Sequence, residues 1–408
     1  MSRRLEERRT PRDGVAHVGG GATRVCVIVG TRPEVIKMAP VIEALRARPS
    51  HFEPIIVTTA QHREMLAQAM DAFGLSPHVD LSLMSTRQSL ADFTSRALLA
   101  LSSCFTELRP DVVLVQGDTT TVLAASLAAH YLGIPVGHVE AGLRSGNLRN
   151  PFPEELNRRL AGVVAELHFA PTVEAQSNLL REGVSADRIF VTGNTIVDAL
   201  QRIPRRERFE DERLNALPWQ EHVILVTVHR RENIGQPLRN ICAALCELTE
   251  RYDDAHVIFP VHLNPRVREI VADELSACER ISLIDPLGYG DLLESIRRSA
   301  FVMTDSGGIQ EECPSLSKAV LILRKNTERP EVVTSGFGRV VGTDRNAILS
   351  AACRLLEDPA ELAAMTMGEN PFGDGHAGER IVQILHERTT PSASTSPRMH
   401  GRGEAAAP

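Results

Sequence analysis

The chain has 408 residues, more than one hydrophobic core usually serves, so we expect two domains. Its composition is that of an ordinary globular protein, with 43% hydrophobic and 24% charged residues, but only 4% of its residues are aromatic. The formal net charge of −7 argues against a nucleic-acid partner, and the scarcity of aromatic residues argues against base stacking. No stretch reaches the roughly 18 apolar residues of a membrane span, so we expect a cytoplasmic protein.

Neither end of the chain has the composition of a packed core. Residues 1–23 contain arginine pairs but lack the apolar segment of a signal peptide, and residues 389–408 are rich in Thr, Ser, Pro, Gly and Ala. We expect both ends to be disordered. The seven cysteines lie in apolar segments without a CxxC pair, so we predict reduced core residues and no metal site, although Cys242 and Cys246 are one helical turn apart.

From residue 24 onward, short β-branched runs alternate with longer amphipathic segments, which is typical of βαβ units and a parallel sheet. This alternation predicts strands at residues 25–29, 54–58, 112–116, 136–139, 167–170 and 189–192. It predicts helices at residues 34–46, 88–108, 119–132, 154–164 and 173–182. We assign residues 24–200 to an N-terminal Rossmann-like domain.

A charged, polar run at residues 201–220 follows, which we interpret as the linker region between the domains. The alternation then restarts, with strands predicted at residues 223–228, 255–259, 281–283, 301–303, 320–323 and 338–341. We assign residues 221–375 to a second Rossmann-like domain and residues 376–388 to a C-terminal helix that packs back. Two doubly wound α/β domains predict a ligand cleft between the carboxyl ends of their strands.

The strongest local signal is TDSGGIQEE at residues 304–312, where a predicted strand ends in a Ser-Gly-Gly turn and a helix begins. Glycines let the backbone approach an anion, and the helix start presents free N–H groups and the positive end of its dipole. We predict that Ser306, Gly307 and Gly308 bind a diphosphate and that Glu312, one turn further on, accepts from ribose hydroxyls. A helix N-cap beside closely packed glycines would explain the same residues without a ligand.

Two further segments combine a strand end with cations. In GTRPEVIK, residues 30–37, Arg32 and Lys37 can converge on a negative charge at a helix start, or they are solvated surface residues. In TERPE, residues 327–331, Arg329 either binds a phosphate with its forked guanidinium or pairs with a neighbouring glutamate.

Carboxylates follow two successive predicted strands and begin a nearby helix: Asp118, Glu140 and Glu154. Crowding and partial burial would separate their pKa values, which suits general acid–base chemistry. Singly, Asp118 could instead be a helix N-cap, and Glu154 could be a favourable charge at a helix start. The second domain contributes His229 and His262 after its first two strands. An imidazole there can donate to a departing phosphate oxygen, although a lone histidine is more often structural.

Together these segments resemble the non-hydrolysing UDP-N-acetylglucosamine 2-epimerases. The matching blocks occur in the family's order and are GTRPEVIKMAP (30–40), TAQHREML (59–66), QGDTTT (116–121), HVEAGLRS (138–145), PFPEELNRR (151–159), VTGNTIVDAL (191–200), VTVHRREN (226–233), PVHLNP (260–265), TDSGGIQEE (304–312) and TERPE (327–331). The resemblance implies two Rossmann-like domains in the GT-B arrangement. It also implies reversible conversion of UDP-N-acetylglucosamine to UDP-N-acetylmannosamine, with no NAD or metal.

The resemblance further implies that UDP is eliminated to leave a 2-acetamidoglucal and is then added back. Asp118, Glu140 and Glu154 would then transfer the C2 proton and position the sugar. His229 would be the acid or phosphate partner as UDP departs. The remaining substrate contacts implied by the resemblance are Arg32 and Lys37 to diphosphate and sugar, Ser306, Gly307 and Gly308 to the phosphates, Glu312 to the ribose and Arg329 to the phosphate end.

Bacterial members of this family also bind a second UDP-N-acetylglucosamine as an activator. The residues of that site correspond here to Gln61, Arg87, Glu154, Arg230 and His262. We therefore expect activation by the substrate, and we expect a homodimer.

Two blocks depart from the family pattern. LGYGDL, residues 287–292, replaces a Gln and a Phe or other large residue near the uracil, and Lys325 is added near the phosphate end. Both departures leave open a 2-epimerase for another UDP-sugar, such as a diacetamido sugar or an antibiotic-pathway substrate. A glycosyltransferase of the same fold, a silent nucleotide-sugar sensor and a hydrolysing epimerase also stay open, the last disfavoured by GTRPEVIK.

Overall fold

The computed structural model describes residues 21–59, 63–84 and 88–389, with side chains described in these ranges except at residues 63–65. The predicted disordered ends therefore lie almost entirely outside the described residues. Two parallel sheets, of seven and six strands, form the framework of the described chain. The prediction of two doubly wound α/β domains in the GT-B arrangement is confirmed.

The first sheet has the strand order β3-β2-β1-β4-β5-β6-β7. Its strands are β1 (Thr23–Val29), β2 (Phe52–Thr58), β3 (Val79–Asp80), β4 (Val112–Gln116), β5 (Val136–Val139), β6 (Leu167–Ala170) and β7 (Ile189–Val191). The helices around it are α1 (Arg32–Arg46), α2 (Arg63–Ala72), α3 (Leu90–Leu108), α4 (Thr120–Tyr131), α5 (Glu154–Val164), α6 (Val173–Arg181) and α7 (Thr195–Arg202).

Strand β1 shows why this sheet is covered on both faces. Val25 and Val27 belong to one hydrophobic cluster together with residues of α1, whereas Cys26 and Ile28 belong to another together with residues of α3 and α4. Successive side chains of a strand point to opposite faces, so a strand that is apolar at every position must be buried on both sides.

The second sheet has the strand order β10-β9-β8-β11-β12-β13. Its strands are β8 (His222–Thr227), β9 (Ala255–Pro260), β10 (Ile281–Ile284), β11 (Phe301–Thr304), β12 (Val320–Ile322) and β13 (Gly338–Val340). The remaining helices are α8 (Glu212–Asn215), α9 (Gln236–Arg251), α10 (Pro265–Leu275), α11 (Tyr289–Arg298), α12 (Gly307–Ser315), α13 (Pro330–Thr334), α14 (Arg345–Glu357), α15 (Pro359–Ala364) and α16 (Ala377–Thr389). In each sheet the strand order reverses at the first strand of the domain, the point at which α/β sheets bind ligands.

The segment between the sheets is packed in spite of its charge. Phe209 is buried and its ring stacks on Trp219 with 5.0 Å between the centroids. The Asp291 carboxylate of α11 accepts from the backbone N–H groups of Glu210 and Asp211 at 3.1 and 2.9 Å. The segment therefore docks on the second domain through α11.

The last helix, α16, crosses back to pack against α1 and α7 of the first domain. A Cβ at Gly378 would lie 2.9 Å from the carbonyl oxygen of Pro40, so the two helices touch backbone to backbone at this glycine. Within the described ranges, no helix is long and apolar enough to cross a bilayer.

The prediction that all seven cysteines are reduced is wrong for one pair. Cys246 on α9 and Cys278 after α10 form a disulfide, and their Cα atoms are 6.0 Å apart. The two helices pack side by side, and this brings together two residues that no short sequence motif connects. The other five cysteines are free and buried, as predicted.

Candidate active site

A cavity of about 620 Å³ lies between the two sheets. Its walls come from loops that follow β1, β4 and β5 in the first domain and from loops that follow β8, β9, β10, β11 and β12 in the second. All of these loops leave the carboxyl ends of parallel strands, where ligands bind in open α/β sheets.

Nearly all of the residues singled out in the sequence line this one cavity. They are Arg32, Lys37, Asp118, Glu140, Glu154, His229, Arg230, His262, Ser306, Gly307, Gly308, Glu312 and Arg329. The two remaining predicted activator residues, Gln61 and Arg87, lie outside the described residues. The folded chain thus brings together side chains from at least seven separate loops.

The Ser-Gly-Gly turn opens α12 toward the cavity. Ser306 is the N-cap residue, but its hydroxyl makes no capping hydrogen bond, and Gly307 and Gly308 form the first helical positions. A Cβ at Gly307 would lie 3.2 Å from an oxygen of Glu328, so the turn is closely packed at this glycine. The free N–H groups of this helix start suit an anionic ligand.

Asp305 begins the same turn but is not among the residues that line the cavity. Its buried carboxylate accepts from the backbone N–H groups of His229 and Arg230 at 3.1 and 2.9 Å and from the Asn233 amide at 2.9 Å. Burial would raise the pKa of Asp305, but the hydrogen bonds and charge of His229 and its neighbours hold it below the usual value. Asp305 therefore fixes the β8 loop against the Ser-Gly-Gly turn.

His229 is oriented by the same carboxylate. Its Nδ1 lies 3.2 Å from Asp305 Oδ1, and its ring stacks on His262 with 6.3 Å between the centroids. A carboxylate that accepts from Nδ1–H leaves Nε2 available to exchange a proton with a ligand.

Two cations and two carboxylates meet where the domains face each other. Lys37 Nζ contacts Glu140 and lies 2.7 Å from Glu311, and Arg329 contacts Glu311 and lies 3.8 Å from Glu140. Burial and the nearby Glu311 charge raise the pKa of Glu140 in spite of the Lys37 ammonium. Arg329 is compatible with both interpretations made from the sequence, a glutamate ion pair and a phosphate contact, because it pairs with Glu311 and also lines the cavity.

Asp118 is not the N-cap of α4, since the Thr119 hydroxyl accepts from the backbone N–H of Val122 at 3.3 Å. The Asp118 carboxylate instead accepts from the Arg158 guanidinium. Burial alone would raise the pKa of Asp118, but the charges of Arg158, Arg329 and Lys37 outweigh it and hold that pKa below its usual value. Asp118 is therefore an anion in the cavity wall.

Glu154 is the first residue of α5 and is half-buried in the same wall. A negative charge at this position also interacts favourably with the helix dipole, so a structural contribution and a role in the cavity coexist.

One side of the cavity is formed partly by residues 287–292, the block that departs from the family pattern. The Tyr289 hydroxyl donates to Glu312 at 3.0 Å, and the Arg32 guanidinium lies 5.8 Å from the centre of the Tyr289 ring. Burial raises the pKa of Glu312 to about 7. Leu287 and Leu292 add apolar surface beside this cluster.

The second departure, Lys325, does not join the site. Lys325 is exposed, whereas its neighbour Arg324 is buried and pairs with Glu328 and, at 3.0 Å, with Glu232. The prediction that Lys325 adds a charge at the phosphate end is not supported by its position.

Sequence reasoning did not single out four residues that shape the site: Glu34, Arg158, Tyr289 and Glu311. Glu34 had a recognisable signal, because it stands at the third helical position after Thr31 as in a capping box. Its carboxylate accepts from the Thr31 N–H at 2.7 Å and from the Thr119 hydroxyl at 2.6 Å, which ties two strand-end loops together. Glu311 had no such signal, because its partner Lys37 comes from the other domain.

The two Rossmann-like domains and the polar cleft between them define a GT-B enzyme fold. A family model described as UDP-N-acetylglucosamine 2-epimerase matches residues 43–386. The UDP-N-acetylglucosamine 2-epimerases of Bacillus subtilis and Escherichia coli K12 are 49% and 47% identical over 362 and 369 residues, covering 89% of this chain and 94% and 98% of theirs. The chain belongs to the UDP-N-acetylglucosamine 2-epimerase family, and it is an enzyme of the isomerase class.

A solved structure extends the comparison to three dimensions. The UDP-GlcNAc 2-epimerase of Neisseria meningitidis bound to UDP-GlcNAc is 42% identical, with a TM-score of 0.83, over 90% of this chain and all of the other. The similarity thus covers both domains and the cleft between them.

Proposed function

We propose that this enzyme interconverts UDP-N-acetylglucosamine and UDP-N-acetylmannosamine by eliminating UDP and adding it back. The observation that carries the proposal is the opposition, across one cavity, of Asp118 and Glu140 on the first domain to the Ser-Gly-Gly helix start on the second. One wall suits proton transfer on a sugar, and the other suits a diphosphate. The route is redox-neutral, so it needs no nicotinamide.

In the first half of the reaction a carboxylate removes the C2 proton while the bond between C1 and the diphosphate oxygen breaks. The electron pair of the C–H bond becomes the C1–C2 double bond of 2-acetamidoglucal, and the pair of the C–O bond leaves with UDP. Negative charge then grows on the diphosphate, where the start of α12 and the cations Arg32, Lys37 and Arg329 would stabilise it.

In the second half the C2 proton is delivered to the opposite face of the glucal and the UDP oxygen adds again at C1. This requires acid–base groups on two sides of the sugar ring. Asp118 follows β4, whereas Glu140 and Glu154 lie at opposite ends of the connection between β5 and α5, and this separation supports such a division of roles. His229, held through Nδ1 by Asp305, is suited to protonate or hydrogen-bond the departing phosphate.

UDP must stay bound between the two halves, because it has to return. Contacts to its unchanging parts provide the binding energy for this. The Tyr289–Glu312 pair and the apolar Leu287 and Leu292 come from the second domain, whereas the three carboxylates come from the first, so this surface suits the nucleotide. The departure at 287–292 would then contact the nucleotide and not the sugar, which supports the standard sugar over a modified one.

Activation by a second substrate molecule remains part of the proposal. Glu154, Arg230 and His262, three of the five predicted activator residues, line the same cavity as the reacting groups. An activator held there would touch the substrate site directly.

The proposal includes a homodimer, supported by an apolar face on α4 and α5. Helix α4 carries no Asp, Glu, Lys or Arg, yet Tyr131 is 68% exposed. The neighbouring helix α5 exposes Leu160 and Val163, the latter by 80%. A helix that is apolar on all sides is normally covered, and an uncharged face can pair with its own copy without repulsion.

Turnover of UDP-N-acetylglucosamine in deuterated water tests the reaction. We expect UDP-N-acetylmannosamine with deuterium at C2, because the abstracted proton exchanges with solvent. Product formed without deuterium would contradict proton transfer at C2, and stoichiometric release of free UDP and sugar would indicate a hydrolysing enzyme.

A further inference from the structure

Glu311 occupies a position that the proposed reaction does not yet use. It lies on α12 just after the Ser-Gly-Gly turn and is completely buried. Its carboxylate lies 2.7 Å from Lys37 Nζ, which belongs to the first domain, and contacts Arg329 of the second. Glu311 is thus a carboxylate of one domain that pairs with a cation of the other, inside the cleft.

The same two cations also serve Glu140. Lys37 donates a hydrogen bond to Glu140, and Arg329 lies 3.8 Å from it. Two carboxylates therefore divide two cations between them in a ring of alternating charge. Without Glu311, both cations would be left to Glu140 alone, and the ring would carry a net positive charge.

We propose that Glu311 is a positioning residue for Glu140: it holds Lys37 and Arg329 between the domains and keeps Glu140 able to exchange a proton. This inference rests on the proposed epimerisation. Its physical basis is that two unopposed cations would stabilise the Glu140 anion so strongly that it would become a poor proton carrier.

The other charges around the ring do not replace Glu311. Asp118, from the β4 loop, feels both cations but is paired with Arg158. Glu328 pairs with Arg324 and with Arg230, at 3.2 Å to the latter, and its charge also acts on Arg329. Glu312, the next residue on α12, is hydrogen-bonded to Tyr289. Burial and Glu311 both raise the pKa of Glu140, and Lys37 and Arg329 lower it.

The test is the pH dependence of kcat for Glu311→Gln. We expect the apparent pKa of the limb that depends on Glu140 to move to lower pH by about one unit, because a nearby negative charge is removed. We expect kcat at neutral pH to fall roughly tenfold, since the pKa of Glu140 no longer matches the working pH. UDP binding should not weaken, because the substitution removes no positive charge.

Two further variants separate this role from a structural one. Glu311→Asp keeps the negative charge but shortens the side chain that contacts Lys37 and Arg329. We therefore expect kcat to fall roughly tenfold, while the limb of the pH profile that depends on Glu140 stays at the wild-type pH. Glu294→Gln removes another buried carboxylate, paired with Arg297 and Arg298 on α11, and should keep the wild-type profile.

An unmoved limb in a folded Glu311→Gln variant would overturn the inference. If that variant does not fold, Glu311→Asp carries the test, and wild-type kcat in it would overturn the inference. The proposed function has its own readout, because wild-type enzyme that forms product without deuterium at C2 contradicts the reaction whatever these variants do.

Discussion

The guanidinium of Arg158 donates a hydrogen bond to the carboxylate of Asp118 inside the wall of the cleft. Arg158 is the largest of the charges that offset the burial of Asp118. Replacing it in Arg158→Gln should therefore raise the pKa of Asp118, by about 1–2 units, and move the limb of the pH–rate profile that depends on Asp118 to higher pH. Steady-state epimerisation measured from pH 3 to 8 provides the check, because the lowered pKa of Asp118 puts the wild-type limb on the acid side of the usual carboxyl range.

Arg159→Gln is the matched control for this prediction. Arg159 is the next residue on α5, but it pairs with Glu155 at 3.1 Å and does not contact Asp118. An equal shift of the pH–rate profile in both variants would mean that the total charge of this region, and not the Arg158–Asp118 pair, sets the pKa of Asp118.

A substitution at Gly307 tests whether the Ser-Gly-Gly turn binds the diphosphate. A Cβ there would lie 3.2 Å from Glu328 and 3.6 Å from Arg230, so alanine crowds the turn at the point where we expect phosphate oxygens. Gly307→Ala should weaken UDP binding roughly 10- to 100-fold, as measured by titration calorimetry, with little change in the melting temperature. Gly162→Ala, on α5 with 3.7 Å to its nearest neighbour, should bind UDP like the wild type. Unchanged affinity in Gly307→Ala would move the diphosphate away from this turn.

Glu34 predicts a pH dependence of stability. Burial raises its pKa from 4.5 to about 7, so the folded state binds a proton that the unfolded state has released. The stability contributed by this group is fully present below pH 4.5 and is lost as the pH rises through about 7. The free energy of unfolding in urea should therefore fall by about 2 kcal/mol more in the wild type than in Glu34→Gln between pH 5 and 7.5.

An exposed carboxylate gives the comparison for Glu34. Glu107 lies on the surface near the end of α3, and Glu107→Gln should keep the wild-type pH dependence. If Glu34→Gln also keeps the wild-type pH dependence of stability, Glu34 is ionised in the folded protein throughout the range from pH 5 to 7.5.

The strand ends were predictable because their signals are local. A β-branched run fixes where β4 and β5 end, and this puts Asp118 and Glu140 at one edge of a parallel sheet before any contact is known. The Lys37–Glu311 pair was not predictable in this way, because it depends on how two separately folded sheets face each other. The same holds for Cys246 and Cys278, whose meeting depends on the packing of α9 against α10.

The apolar face of α4 and α5 predicts how the dimer can be broken. Leu160 on that face is 42% exposed, so Leu160→Glu would bury a charge in the interface if two copies meet there. We expect this variant to elute as a monomer with light-scattering detection, while the wild type elutes as a dimer. Leu180→Glu, 44% exposed on α6, should remain dimeric. A dimeric Leu160→Glu variant would place the contact elsewhere.

The disulfide between Cys246 and Cys278 should stabilise the second domain. It closes a loop with a sequence separation of 32 residues, and a loop of that length restricts the unfolded chain by an amount worth about 2–4 kcal/mol. Urea denaturation followed by tryptophan fluorescence should show that loss on adding dithiothreitol, because Trp219 packs against the second domain. The Cys246→Ala, Cys278→Ala double variant should unfold at the same urea concentration as the reduced wild type. Adding dithiothreitol should not change its stability. Equal stability of the oxidised and reduced wild-type protein would mean that the bond restricts a chain already compact when unfolded.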